Sequence, residues 1–263
     1  MPTLEDFKVA QPFCWHPDLQ NILPILAKDL LAQQQATFRK HWSLVSAAFP
    51  DLSQQRYLHS WFLAGTRSFY YVTPEMEKYP VMDRLALMPV ADIFNHAETG
   101  CDVSFGPEGF TVSTDRTYRA GEEICISYGE HSDDFLLAEY GFLLAENRWD
   151  MVCIDDVVLP ALKPSQAAEL RRQGVFGPFL LDPNGIPCHK TRVALELVGR
   201  GSQQMQDDNS SAASGELFSR LLCDNFAAKA LAEVRKLTVG EDCQKQALEQ
   251  RWKQIAATIS RVA

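Results

Sequence analysis

Positive charge is in short supply in this chain. Lysine and arginine number 25 against 34 aspartates and glutamates, a formal charge of −9 at pH 7. That balance argues against a surface built to track phosphates, and so against direct nucleic-acid binding. Long apolar runs are missing too: none approaches the roughly 18 residues of a membrane-spanning helix. The opening Met1-Pro2-Thr3-Leu4-Glu5-Asp6-Phe7-Lys8 lacks the basic-then-apolar order of a secretory signal. The expectation is a soluble, intracellular protein, cytoplasmic and/or nuclear, that engages no membrane. The seven cysteines (Cys14, Cys101, Cys125, Cys153, Cys188, Cys223, Cys243) are odd in number, scattered, and contain no C-x-x-C pair. They support neither a disulfide framework nor a cysteine zinc cluster, and most read as buried small hydrophobes. Glycine is absent before Gly65.

What is present is enough for a packed core: 46% of the 263 residues are hydrophobic, a length that fits one large domain or two unequal ones. From Asp18 to Ala48, Leu19, Ile22, Leu23, Leu26, Leu30, Leu31, Phe38, Trp42 and Val45 recur mostly at three- and four-residue intervals, which predicts amphipathic helix with Pro24 in its first turn. Ser53 is a plausible N-cap for a second helix carrying Tyr57, Trp61 and Ala64 on one face. After Pro89 the texture changes. Glycines cluster between Gly100 and Gly141 among the β-prone runs Val103-Ser104-Phe105, Phe110-Thr111-Val112 and Ile124-Cys125-Ile126. Ser132-Asp133-Asp134 offers capping side chains for a short helix that ends before Gly141. Beyond the strand-like Met151-Val152-Cys153-Ile154, helices are expected over 165–174, 191–198, 217–237 and 241–262, the last two carrying Leu221, Leu222, Leu231, Val234, Leu248, Trp252 and Ile255. The stretch 201–215, rich in Ser, Gln, Asp and Asn, cannot bury much and reads as a mobile loop.

Four short runs stand out: Arg67-Ser68-Phe69; Ala91-Asp92-Ile93-Phe94-Asn95-His96; Gly121-Glu122-Glu123-Ile124 leading to Ser127-Tyr128-Gly129; and Glu139-Tyr140-Gly141-Phe142. In this order they resemble the signature of SET-domain protein lysine methyltransferases, most closely the branch typified by the plant Rubisco large-subunit methyltransferase. The resemblance covers about residues 18–150 well, and 151–263 by helical character and position. It implies an α+β fold: a SET-type β-clip core over 1–150 with a helical insertion at about 18–86, then an all-α substrate-binding-like domain over 151–263. It also implies transfer of a methyl group from S-adenosylmethionine to a lysine amine of a protein substrate, by a monomer. The family opens its SET domain with a G-x-G turn, so the domain is expected to be incomplete at its amino terminus.

By the same resemblance Tyr128 is the catalytic phenol and also lines the cofactor site, with Arg67, Asp92, Asn95, His96, Tyr140 and Phe142 as further cofactor-binding residues. Arg67 would pair with the cofactor carboxylate. Tyr140 and Phe142 would wall the lysine channel and the adenine pocket. Read without the resemblance, Tyr128 could end a strand with its hydroxyl in solvent, and Asn95 could cap a turn beside a core His96. Arg67 could lie on the surface, Asp92 could cap the Phe94 turn, and Tyr140 and Phe142 could be core. His96, Cys101 and Asp102 match no strong metal pattern, so no metal is expected. Two other functions stay open. One is a non-catalytic SET-like interaction module that has lost the glycine turn. The other, a metal-dependent hydrolase, lacks ligands at the required spacing.

Overall fold

The computed structural model describes residues 1–81, 84–106, 109–202 and 226–262. The chain opens with a helix, α1 (Leu4–Ala10), set by a capping box: the Asp6 amide donates to Thr3 Oγ1 at 3.2 Å, and the Thr3 amide donates to Asp6 Oδ2 at 2.7 Å. Residues 7–13 therefore form no strand. The box nucleates a helix, and Pro12, which has no amide hydrogen to give a ladder, starts the 3-10 turn Pro12–Cys14 instead.

The periodic stretch after Asp18 is two helices, α2 (Pro17–Asn21) and α3 (Ile25–Ala48), not one. Pro24 is the N-cap of α3 rather than part of its first turn; its ring disfavours helical backbone at the residue before it. Ser53 caps α4 (Gln54–Arg67) as expected, accepting from the Arg56 amide. Phe38, Trp61 and Phe62 lock α3 to α4 and to Phe13 through ring contacts of 5.4–5.7 Å.

Helix gives way to strand at Arg67. β1 (Ser68–Tyr70) pairs antiparallel with β2 (Leu85–Leu87). β3 (Asn95–Gly106) pairs antiparallel with β4 (Gly109–Ser113), and parallel with β5 (Cys125–Ile126) across a register shift between His96 and Cys101. All three β-prone runs thus lie in strands or end in one. A Cβ on Gly100 would meet the Cys125 carbonyl oxygen at 2.5 Å, so β3 passes β5 too closely for any side chain there. Ser132 caps the turn α5 (Asp133–Phe135), which runs on as a π-helical turn, Leu136–Tyr140, and stops at left-handed Gly141.

The rest is mainly helical: α6 (Asp155–Ala161), α7 (Pro164–Arg172), α8 (His189–Ser202), α9 (Phe226–Lys236) and α10 (Asp242–Ser260). A small ladder of β6 (Val152–Cys153) and β7 (Leu180–Leu181) lies among them. Of the expected loop over 201–215, and of Leu221, Leu222 and Cys223, nearly everything lies outside the described residues.

One buried cluster draws on both sides of residue 150: Trp15, Leu19 and Leu31 with Leu137, and Ile154, Phe179, Leu248 and Trp252. An ion cluster ties the same halves together. Arg251 of α10, fully buried, donates to Asp134 Oδ1 and to Asp150 Oδ2, both at 2.6 Å, and lies 3.8 Å from Asp133. A lone charge of this kind is costly to bury, so these partners are what permit Arg251 to sit inside.

Candidate functional site

Four segments converge on one cleft of about 230 Å³, lined by Arg67, Asp92, Asn95, Tyr128, Tyr140 and Phe142, and also by Pro2 and by Asp6, Phe7 and Ala10 of α1. α4 delivers Arg67 at its last turn, and the 3-10 turn Ala91–Ile93 delivers Asp92. Just before it, Val90 is held at φ 84°, a conformation that a β-branched side chain strongly disfavours. β5 runs straight into Ser127-Tyr128.

Arg67 Nη1 donates to the Asp92 carbonyl at 2.6 Å and lies 3.5 Å from its carboxylate. Arg67 Nε is buried with no partner. Arg67 is therefore not a surface arginine, and one N–H of its guanidinium is left without a partner.

Tyr128 is half-buried, and its hydroxyl donates to the Phe94 carbonyl at 2.7 Å rather than pointing into solvent. Burial, then the neighbouring Tyr140, push its phenol above the ordinary tyrosine range, so it stays protonated and acts as a donor. Its amide donates to His96 Nδ1 at 3.0 Å, which requires that nitrogen to be unprotonated. Burial holds the His96 pKa below its usual value, consistent with a neutral ring. His96 thus stands behind Tyr128, with ring centroids 5.1 Å apart, and is not among the residues lining the cleft. Tyr140 and Phe142 complete the aromatic group at 5.2 and 6.4 Å from the Tyr128 ring.

Three further groups carried no sequence signal strong enough to single them out. Glu123 accepts from Asn95 Nδ2 at 2.6 Å. His131 Nε2 donates to the Tyr128 carbonyl at 3.1 Å while its ring stacks on Phe135. The α1 wall is the third; the Thr3-x-x-Asp6 spacing was the sign that could have revealed it.

The fold has counterparts among solved structures. The SET domain of LSMT, bound to MeLysine and AdoHcy, superposes with a TM-score of 0.56 at 14% identity, covering 97% of this chain and 66% of that one. Rubisco LSMT bound to sinefungin and monomethyllysine gives 0.54 at 14%, covering 95% and 65%. The chain has the fold of the LSMT SET domain. Sequence relatives carry names of the same kind. The chain is 29% identical over 147 residues to the ribosomal lysine N-methyltransferase set11 of Schizosaccharomyces pombe, covering 53% of this chain and 38% of the relative. It is 26% identical over 203 residues to ribosomal lysine N-methyltransferase 2 of Saccharomyces cerevisiae, covering 60% and 42%. It is 25% identical over 178 residues to human SET domain-containing protein 4, covering 62% and 40%. The chain thus spans about two fifths of the length of these curated relatives. No protein-family model matches it.

The cleft fits the amino-acid end of an S-adenosyl cofactor. The Arg67 guanidinium suits a carboxylate, and Asn95 and Tyr128 line the same cleft. At about 230 Å³ the cleft is smaller than the roughly 300 Å³ at which small-molecule pockets usually begin, so the remainder of such a ligand would lie along its rim.

Proposed function

We propose that this chain is the SET portion of a protein-lysine N-methyltransferase that takes its methyl group from S-adenosylmethionine. One observation carries the reading: residues from four separated segments, Arg67, Asp92, Asn95, Tyr128, Tyr140 and Phe142, meet in one cleft. The printed names of the relatives and the ligands of the solved neighbours support it.

The cofactor supplies an electrophilic methyl on a sulfonium. The chain's residues do the positioning. Arg67, held by Asp92, and Asn95 orient the ligand's polar end. The aromatic group around Tyr128 excludes water, which disfavours the ammonium form of an incoming lysine and leaves its amine neutral. The Tyr128 phenol, kept protonated, contributes a fixed dipole beside the reacting groups. Alignment at contact distance supplies much of the acceleration. The partner is a protein bearing a target lysine, and ribosomal proteins are the first to test, given the names of the two yeast relatives. We place the protein, as a monomer, in the cytoplasm or nucleus.

The small cleft favours a second reading, a SET-like interaction module without turnover. Titration calorimetry with AdoHcy, followed by labelling of lysate or ribosomal proteins with radioactive methyl donor, separates the two. Binding plus label that disappears in Tyr128→Phe supports the enzyme. Absence of both leaves the module.

A further inference from the structure

One wall of this cleft is a helix, and it brings a carboxylate with it. α1 is fixed from several directions. Phe7 stacks on Phe62 at 5.1 Å, and His59 Nε2 donates to the Pro2 carbonyl at 3.0 Å. Gln244 Nε2 of α10 reaches the Lys8 carbonyl at 3.2 Å. Gly141, at φ 79°, lets the Ala10 backbone come so near that a Cβ there would meet the Ala10 carbonyl oxygen at 2.8 Å. So α1 is a built wall of the site.

Asp6 faces this cleft from α1. Its two hydrogen bonds, from the Thr3 amide at 2.7 Å and the Thr3 hydroxyl at 2.8 Å, both end on Oδ2. Oδ1 takes neither. These bonds also hold the carboxyl below its usual range, so it is ionised at neutral pH. In the same lining the Arg67 charge is already engaged by Asp92. The lining therefore carries two carboxylates against one guanidinium, with acceptor capacity left on α1. A zwitterionic amino-acid group satisfies both ends at once: its carboxylate at Arg67, its ammonium at Asp6.

We propose that Asp6 is a cofactor-orienting residue, accepting through Oδ1 a hydrogen bond from the ammonium of the amino-acid end of an S-adenosyl ligand. The proposal rests on the functional reading above, but makes its own claim: that α1 contributes binding chemistry and is more than a lid.

The test is titration calorimetry of the full chain with sinefungin and with AdoHcy, on the unaltered protein, Asp6→Asn and Thr3→Ala. Asp6→Asn keeps the size of the side chain and removes its charge. Affinity is expected to fall about tenfold or more, the effect of one charge-assisted hydrogen bond. Raising the ionic strength should narrow the gap. Thr3→Ala disrupts the helix cap and keeps the carboxylate, so its affinity should stay within about twofold of the unaltered protein, well inside that tenfold effect. Equal binding by Asp6→Asn and the unaltered chain overturns the proposal and leaves the functional reading standing. An equal loss in Thr3→Ala also overturns it, because the effect would then come from the helix and not from the charge. If the unaltered protein binds neither ligand, the functional reading falls and takes this proposal with it.

Discussion

Tyr128 joins structure and chemistry at a single atom. Its hydroxyl bonds the Phe94 carbonyl, which leads directly into Asn95 and His96. Tyr128→Phe should therefore cost about 1 to 3 kcal/mol of stability in urea unfolding, because it strands a part-buried carbonyl. Methyl transfer should fall by about 10²-fold or more while ligand affinity changes little, as when one preorganised donor is removed. His96 gives the site a pH dependence of definite sign. Its folded pKa lies below the ordinary histidine value, so the stability that the neutral ring contributes is present above about pH 6.5 and is lost as pH falls through the depressed value. Protonation also takes the Nδ1 lone pair away from the Tyr128 amide. AdoHcy affinity measured from pH 8 downward should hold near neutrality and drop on the acid side, and His96→Gln should flatten that profile. The motif residues that line the cleft could be picked out in the sequence because they come in short contiguous runs, whereas His96, from the same run as Asp92 and Asn95, stands behind Tyr128. The Asn95–Glu123 and His131–Tyr128 contacts could not be picked out, since either partner alone is an ordinary polar residue until β3 and β5 are paired.

At the scale of elements, local pattern decided what could be foreseen. Ser53, Ser132 and the β-prone runs did what their local chemistry dictates, whereas α1 and the break at Pro24 went unread. A helix of seven residues buries one face too short to show a period, and its capping box was its main signal. At Pro24, apolar periodicity persisted across a boundary that backbone sterics impose. Two substitutions probe how elements hold the cleft. Gly141→Ala places a Cβ against the Ala10 carbonyl at a left-handed position. It should destabilise by at least about 1 to 2 kcal/mol and weaken AdoHcy binding by displacing α1, read by urea melts and calorimetry. Val90→Gly should do the reverse to the turn that carries Asp92. Relief of the positive φ should gain about 1 kcal/mol, with Asp92 left less firmly placed.

Across the whole molecule the decisive contacts join residues a hundred or more positions apart, and no local pattern announces them. Arg251 and its carboxylates are the clearest case. Arg251→Met should cost about 3 to 5 kcal/mol, since it leaves several acids buried without their counter-charge. Asp133 adds a pH term. Burial, then the nearby Asp150, raise its pKa to about 6 from 3.8, so the native state holds the proton more tightly. Its contribution is fully present below about pH 3.8 and is lost as pH rises through about 6. Asp133→Asn should remove about 1 to 3 kcal/mol of that dependence, seen by comparing urea midpoints at pH 5 and 7.5.

The same ion cluster sets an order of events during synthesis. A ribosome releases Asp133, Asp134 and Asp150 roughly a hundred residues before Arg251, and α1 long before the Gln244 amide that braces it. Until α10 emerges, the nascent chain holds three acids with no cation to receive them and a cleft wall with one support missing. The growing polypeptide therefore cannot commit to its native interior early, and ligand binding should switch on in a single step once α10 has emerged. Stalled chains released at residue 150 should be protease-sensitive and should not bind AdoHcy, whereas chains carried past residue 260 should resist cleavage.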